Sequence, residues 1–483
     1  MRQLLVAALV LAACRDRPAG PPPGPGSGGL AKATGSAGSG SAAADPWSSP
    51  AKPAETPATR LERADAALGR VASIKPEVAR LRGLSFDREV PTHYQPTSDF
   101  QAFVRREIAK ELPPDRSRDL SAALAHIGLL PRPIDIAQVE EQAMTTQAGA
   151  YYDPAAKAFF LVMVPDNAMM LDTISAHELT HALQDQHFDL TKFLPGDGSL
   201  DDDALTARRF VAEGDATFVM LRYAMHEVLG DKLSSSVTGA LRKQITAFAA
   251  MDVDALKDMS RSQSAALGAF GTMDPEIKHS IDAMDDIPST VLVPMLDSYM
   301  KGALVALVAY EHGGWPAVDA LYHDPPASTE QVLHPETKLY PSRERPHRVT
   351  LARTSDPELA GNVLGELQWK IYFDLWKSPQ AAEASEGWAG DRYRVTRRKD
   401  GRLIGRIATL WDTAADAEQF ATAYLASLAV RFPNAGTSTA AAGVARPDGG
   451  RVFVRTAGTR VFIVDGADDA SALDALVRTT TFD

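Results

Sequence analysis

His177-Glu178-Leu179-Thr180-His181-Ala182-Leu183-Gln184-Asp185-Gln186 is the stretch on which the reading of this chain turns. Its surroundings, residues 167–186, have the pattern of a long helix. A helix sets residues four apart on one face, one turn from each other. His177 and His181 therefore project side by side, and their imidazoles can share a single ion. Zinc accepts imidazole nitrogen and carboxylate oxygen in tetrahedral sites. Glu178 falls beside such an ion without ligating it, where it can take a proton from an attacking water and hand it to a leaving group. Ala176, Leu179 and Leu183 read as an apolar face, with His177, His181 and Asp185 on another, so the helix is expected to be amphipathic.

A catalytic zinc site usually keeps three protein ligands and one open position. Glu213, in Ala212-Glu213-Gly214-Asp215-Ala216, is the candidate third ligand. It lies inside a second predicted helix, 203–229, within an apolar run (Phe210, Val211, Phe218, Val219, Met220), where an unpaired carboxylate is expensive to bury. Glycine in mid-helix costs about 1 kcal/mol relative to alanine, so Gly214 calls for a packing reason. Close approach to the His177–His181 helix, helped by the small Ala216, would supply one. Asp185 and Asp215 are candidates to orient a ligand imidazole from behind, or else face water.

Working outward, residues 149–154 are rich in turn residues, and 158–164 (AFFLVMV) read as a strand, ending at Pro165. An edge strand there would bind an extended peptide by adding it to the sheet. Helices are expected at 61–82, 100–112 and 120–130, a loop at 195–203, and mostly helix from 243 to 322. The tail changes character. Strands at 392–398 and 403–411, a helix at 414–431, a hairpin of 451–455 with 460–464, and a last helix at 470–477 give the order ββαββα. The fold class is therefore α+β: a mainly helical catalytic domain at 61–385 with a small sheet before the HExxH helix, and a small α+β domain at 386–483.

The N-terminus reads differently. Arg2 precedes an unbroken apolar run at 4–13, which is too short for the roughly 20 residues of a membrane-spanning helix. This is the pattern of a secretory signal. Leu11-Ala12-Ala13-Cys14 resembles the lipobox of bacterial lipoproteins, which implies cleavage before Cys14 and a lipid anchor on it. Cys14 is also the sole cysteine, so no intramolecular disulfide forms. Residues 15–60 are almost entirely Pro, Gly, Ala and Ser and are expected to be a disordered tether. The net charge of −12, from 50 basic and 62 acidic residues, argues against nucleic acid as a partner.

HExxH followed by a glutamate on a second helix resembles the gluzincins, the thermolysin-like clan of zinc metallopeptidases. More narrowly, the chain resembles a group of bacterial secreted or lipid-anchored HExxH proteins. The matching segments are Leu81-Arg82-Gly83-Leu84, Tyr151-Tyr152-Asp153-Pro154, residues 177–186, Glu213-Gly214-Asp215-Ala216, residues 328–335 and residues 387–393. The resemblance implies one zinc per chain on His177, His181 and Glu213, catalysis by Glu178, and a peptide or protein substrate. In that clan a Tyr or His donates to the oxyanion formed on the scissile carbonyl. Tyr299 and His334 are the candidates here, the alternatives being a core tyrosine and a histidine bonded to its own loop. The interval from His181 to Glu213 is longer than in thermolysin, which places an insertion between the two helices. The competing reading is a non-catalytic envelope lipoprotein with a structural or vestigial zinc site, acting in binding or assembly. The intact Glu178 argues against it, since a scaffold has no need of a base there.

Overall fold

The computed structural model describes residues 5–6, 57–145, 149–165, 167–229, 235–255, 258, 284–378, 380–435 and 442–483. Apart from Leu5–Val6 and residues 57–60, the expected signal and tether, including Cys14, lie outside the described residues. The fold is α+β.

The helical body runs β1 (Leu5–Val6), α1 (Pro57–Arg82), β2 (Thr92–Tyr94), α2 (Thr97–Glu111), α3 (Pro114–Ile127), α4 (Ile136–Thr145), β3 (Ala150–Asp153) and β4 (Ala158–Leu161). It continues with α5 (Ala168–Phe188), α6 (Leu190–Phe193), α7 (Asp202–Leu229), α8 (Ser235–Ala249), α9 (Ser289–His323) and α10 (Thr329–Leu333). A proline in a helix interior usually kinks or breaks it, but Pro76, which interrupts the helical pattern of 61–82, sits inside a single continuous helix here.

The expected strand at 158–164 is shorter, and the turn-rich stretch before it is itself strand β3. Tyr152 pairs with Phe159 across the hairpin. β4 lies between β3 and β2 in the order β1-β3-β4-β2. It therefore has no free edge and cannot add a peptide by augmentation, contrary to the sequence expectation. The outer edge of β3 carries Leu5–Val6, paired antiparallel with Tyr152 and Tyr151.

Helix α5 also departs from expectation. Asn167 caps it, its side chain accepting from the amides of Met169 and Met170. Every residue from Leu171 to Asp185 is buried, so the helix has no solvent face. Val71 and Val78 of α1, Phe159 and Leu161 of β4, and Val219 and Tyr223 of α7 enclose it with Leu179 and Leu183. A polar face buried in this way must find its partners inside the protein.

Helices α7 and α9 cross at a glycine pair. A Cβ added to Gly214 would stand 2.1 Å from the carbonyl oxygen of Gly302, and one on Gly302 would stand 2.5 Å from that of Phe210. Gly214 thus serves contact with α9, not with the HExxH helix as expected. α9 is long and apolar enough to cross a membrane, but 67% of its apolar window is buried inside the protein. It bends at Gly313 and Gly314, where the backbone leaves helical geometry, and Trp315 beyond the bend lies under the Arg82 guanidinium, 4.5 Å from ring centroid to Cζ.

The C-terminal unit comprises β5 (Val349–Thr350), β6 (Glu358–Asn362), α11 (Gly365–Leu375), β7 (Trp388–Arg397), β8 (Leu403–Trp411) and α12 (Ala414–Arg431). It closes with β9 (Val444–Ala445), β10 (Arg451–Ala457), β11 (Arg460–Ala467), α13 (Ser471–Thr479) and β12 (Thr481–Phe482). Its sheet has the order β6-β7-β8-β11-β10-β9. β6 and α11 belong to it, with Trp369, Tyr372 and Phe373 packed against Trp388, Trp411 and Phe420. The unit thus starts well before residue 386. The sequence hid this because an amphipathic helix at 365–375 reads the same whichever core it covers.

Two joints lock this unit to the body. Thr329 of α10 donates to Asp203 at the start of α7 and accepts from the Leu367 amide of α11, and Gly365 is packed so closely there that a Cβ would stand 1.7 Å from Asp203 Oδ1. On the other side, Arg431 and Arg446 both donate to the His126 carbonyl of α3.

A candidate metal centre between α5 and α7

His177 and His181 project from α5, and Glu213 from α7, toward one point. His177 Nε2 lies 3.1 Å from Glu213 Oε2 and 3.0 Å from His181 Nε2, and His181 Nε2 lies 3.4 Å from Glu213 Oε2. Atoms bound to one tetrahedral zinc at roughly 2.0–2.1 Å are roughly 3.3–3.4 Å apart, so the separations fit a single ion. All three side chains are buried. Among the described residues this is the one group of three or more His, Cys, Asp or Glu side chains so converged. Burial pushes the His177 imidazole down to about 4, despite the Glu213 carboxylate beside it, so the ring is neutral with a lone pair to offer. Burial works to raise Glu213, but the two imidazoles beside it, His177 and His181, hold it below the usual carboxylate range.

Gln184, which the sequence reading passed over, orients His181. Its amide nitrogen is committed to the Ala212 carbonyl at 2.9 Å and to Asp215 at 3.1 Å. Its amide oxygen is thereby turned to His181 Nδ1, 2.8 Å away. Nδ1 then carries the proton, and the Nε2 lone pair faces Glu213 and His177. The signal was present in the sequence: Gln184 is three residues from His181 and seven from His177, on their stripe.

Behind Gln184 stands a buried charge network. Asp215 accepts from Tyr322 Oη at 2.9 Å and pairs with Arg82 at 2.8 Å. Arg82 is fully buried and reaches on to Asp319 at 2.6 Å. Asp215 therefore reaches the candidate ligands through Gln184 and does not touch an imidazole. Asp185 has a different task. It accepts from Tyr152 Oη at 2.7 Å, Lys157 Nζ at 2.8 Å and the Leu190 amide at 3.2 Å, tying the β3–β4 hairpin to α5.

Glu178 is fully buried, and its Oε2 accepts from the Tyr152 amide at 2.9 Å. The Tyr151-Tyr152-Asp153-Pro154 segment thus meets α5 twice, once at Glu178 and once at Asp185. Tyr299 of α9 brings its ring 5.6 Å from that of His177. Among the described residues, His334 makes no hydrogen bond or ion pair with His177, His181, Glu178 or Glu213. It caps α10 and its Nε2 lies 2.7 Å from Glu366 Oε1. Sequence placed His334 in a polar turn but gave no means of telling which neighbour that turn would face.

Residues 352–477 match a family described as a domain of unknown function (DUF8575). The match covers the C-terminal unit from before β6 into α13, and His177, His181 and Glu213 lie outside it. No curated protein and no solved structure matches the chain.

Proposed function

We propose that the chain is a zinc-dependent metallopeptidase of the gluzincin type, hydrolysing peptide bonds at the His177, His181 and Glu213 centre. The observation that carries this reading is the convergence of two imidazole nitrogens and one carboxylate oxygen within 3.4 Å of one another, with Glu178 on the same helix turn. Nitrogen and oxygen donors of this kind suit zinc. Three converged ligands among the described residues, where a closed structural site would have four, favour a site with room for water. When bound, zinc would polarise the scissile carbonyl and lower the pKa of water.

The chain's own residues do the rest. Glu178, aimed by the Tyr152 amide, takes the proton of the attacking water and delivers it to the departing amine. Tyr299 is the better placed of the two candidate oxyanion donors, a role worth about 3 kcal/mol of barrier where geometry is right. His334, held by Glu366, is left with a structural task. The outer edge of β3 pairs with the extended backbone of Leu5–Val6, which supports this edge, and not β4, as the place where an extended substrate would lie. The expected lipid on Cys14 would tether the enzyme to the bacterial envelope, outside the cytoplasm.

The test is the metal content of the purified chain beside Glu213→Ala and Glu178→Gln. One zinc per chain, lost in Glu213→Ala but kept in Glu178→Gln, together with peptide cleavage abolished by Glu178→Gln, is expected. A zinc-supplied wild type that holds no metal would overturn the reading and favour a binding lipoprotein.

A further inference from the structure

Arg209 lies on α7 one turn before Glu213, on the same stripe as Asp202 seven residues upstream. It is half-buried, yet among the described residues it makes no hydrogen bond and no ion pair. The carboxylates whose fields reach it are Glu140 of α4, Asp202 and Glu213. Glu213 is turned to the histidines. Glu140 has a carboxylate oxygen that is buried without a hydrogen-bond partner, and burial pushes its pKa up to about 7. Arg209 of α7 and Glu140 of α4 therefore lie within reach of each other's field without forming an ion pair.

An arginine presents five N–H donors in a planar fork that matches a carboxylate bidentately, and it keeps its charge at any working pH. Withdrawing that fork from water without a partner is costly, which a transient partner would relieve. Four residues of helix set Arg209 and Glu213 about 6 Å apart along the axis, close to the span of two extended peptide residues.

We infer that Arg209 is a substrate-binding residue, gripping a carboxylate one or two residues from the scissile bond of a peptide held at the His177, His181 and Glu213 centre. The inference rests on the metallopeptidase reading. The carboxylate belongs either to the substrate's C-terminus or to an acidic side chain.

The test is calorimetric binding to the zinc-loaded full chain of short hydroxamates, whose head group binds zinc. Each carries a carboxylate two to four methylenes away and is compared with the matching carboxamide. At least one carboxylate should bind tenfold or more tighter than its carboxamide. Arg209→Met should abolish that preference and leave carboxamide affinity unchanged, with Arg209→Lys restoring part of it. Equal binding of each pair, or a preference that survives Arg209→Met, overturns the proposal while zinc retention and Glu178-dependent cleavage leave the metallopeptidase reading standing. If the chain holds no zinc and binds no hydroxamate, both fall. Cleavage of peptides with free or amidated C-termini, and with Asp or Asn near the cut site, separates the two sources. Loss on either change supports the inference, and indifference to both overturns it.

Discussion

Gly214 and Gly302 meet backbone to backbone where α7 crosses α9, one residue from the candidate ligand Glu213. A methyl group at either position would collide with a carbonyl oxygen or a Cα, and neither can swing aside as a side-chain tip would. The separation of α7, which carries Glu213, from α9 is therefore fixed by backbone contact.

Gly302→Ala should force those helices apart, at a cost of about 1–3 kcal/mol, the range for overpacking a core. Zinc affinity should fall with it, because Glu213 moves with α7. Chemical denaturation and a zinc-competition titration read the two effects. Gly239→Ala, in α8 with nothing within 4 Å of the added carbon, is the control and should be neutral or slightly stabilising.

Gln184→Ala removes the acceptor that fixes the His181 tautomer and leaves Asp215 short of a donor. Loss of such an outer partner costs 10–100-fold in metal affinity, measurable against a chelator of known strength. Unchanged affinity would mean that α5 alone holds His181 in place.

Tyr299→Phe separates the two oxyanion candidates. Zinc content and KM should stay close to wild type while kcat drops by about a hundredfold or more. His334→Ala should leave kcat within a few fold, since its ring is engaged by Glu366. The reverse pattern would exchange their roles.

The joint around α10 should make stability depend on pH. Glu330 is buried, which pushes it up to about 7 even though Lys338 lies 3.1 Å away. Burial also raises Glu366, and its hydrogen bond raises His334. For Glu330 the folded chain binds the proton more tightly than the unfolded chain, so stability declines as pH rises from about 4.5, the unfolded value, through about 7. The slope from this one group is at most about 1.4 kcal/mol per pH unit. Glu330→Gln should flatten the decline and raise the melting temperature at pH 8, where Lys338 keeps Asp412 and Glu344 as partners. An unchanged pH profile would show that Glu330 is ionised without penalty.

What the sequence determined by itself was local in origin. Residues four apart on a helix face the same way whatever surrounds them, so His177, His181 and the place of Glu178 followed from spacing alone. The helix at 414–431 and the strand at 403–411 were legible for the same reason, each having a clear period and clear ends. Glu213 was within reach because an isolated carboxylate in an apolar helix demands a partner. Tertiary structure decided everything that depends on which surfaces meet. It showed that α5 is enclosed on all sides, that Gly214 serves α9, that Gln184 and not an aspartate touches His181, and that His334 belongs to another joint. It also put β6 and α11 with the C-terminal sheet. Periodicity records that a face is buried but not against what, and a polar residue's partner comes from a distant part of the chain, chosen by packing.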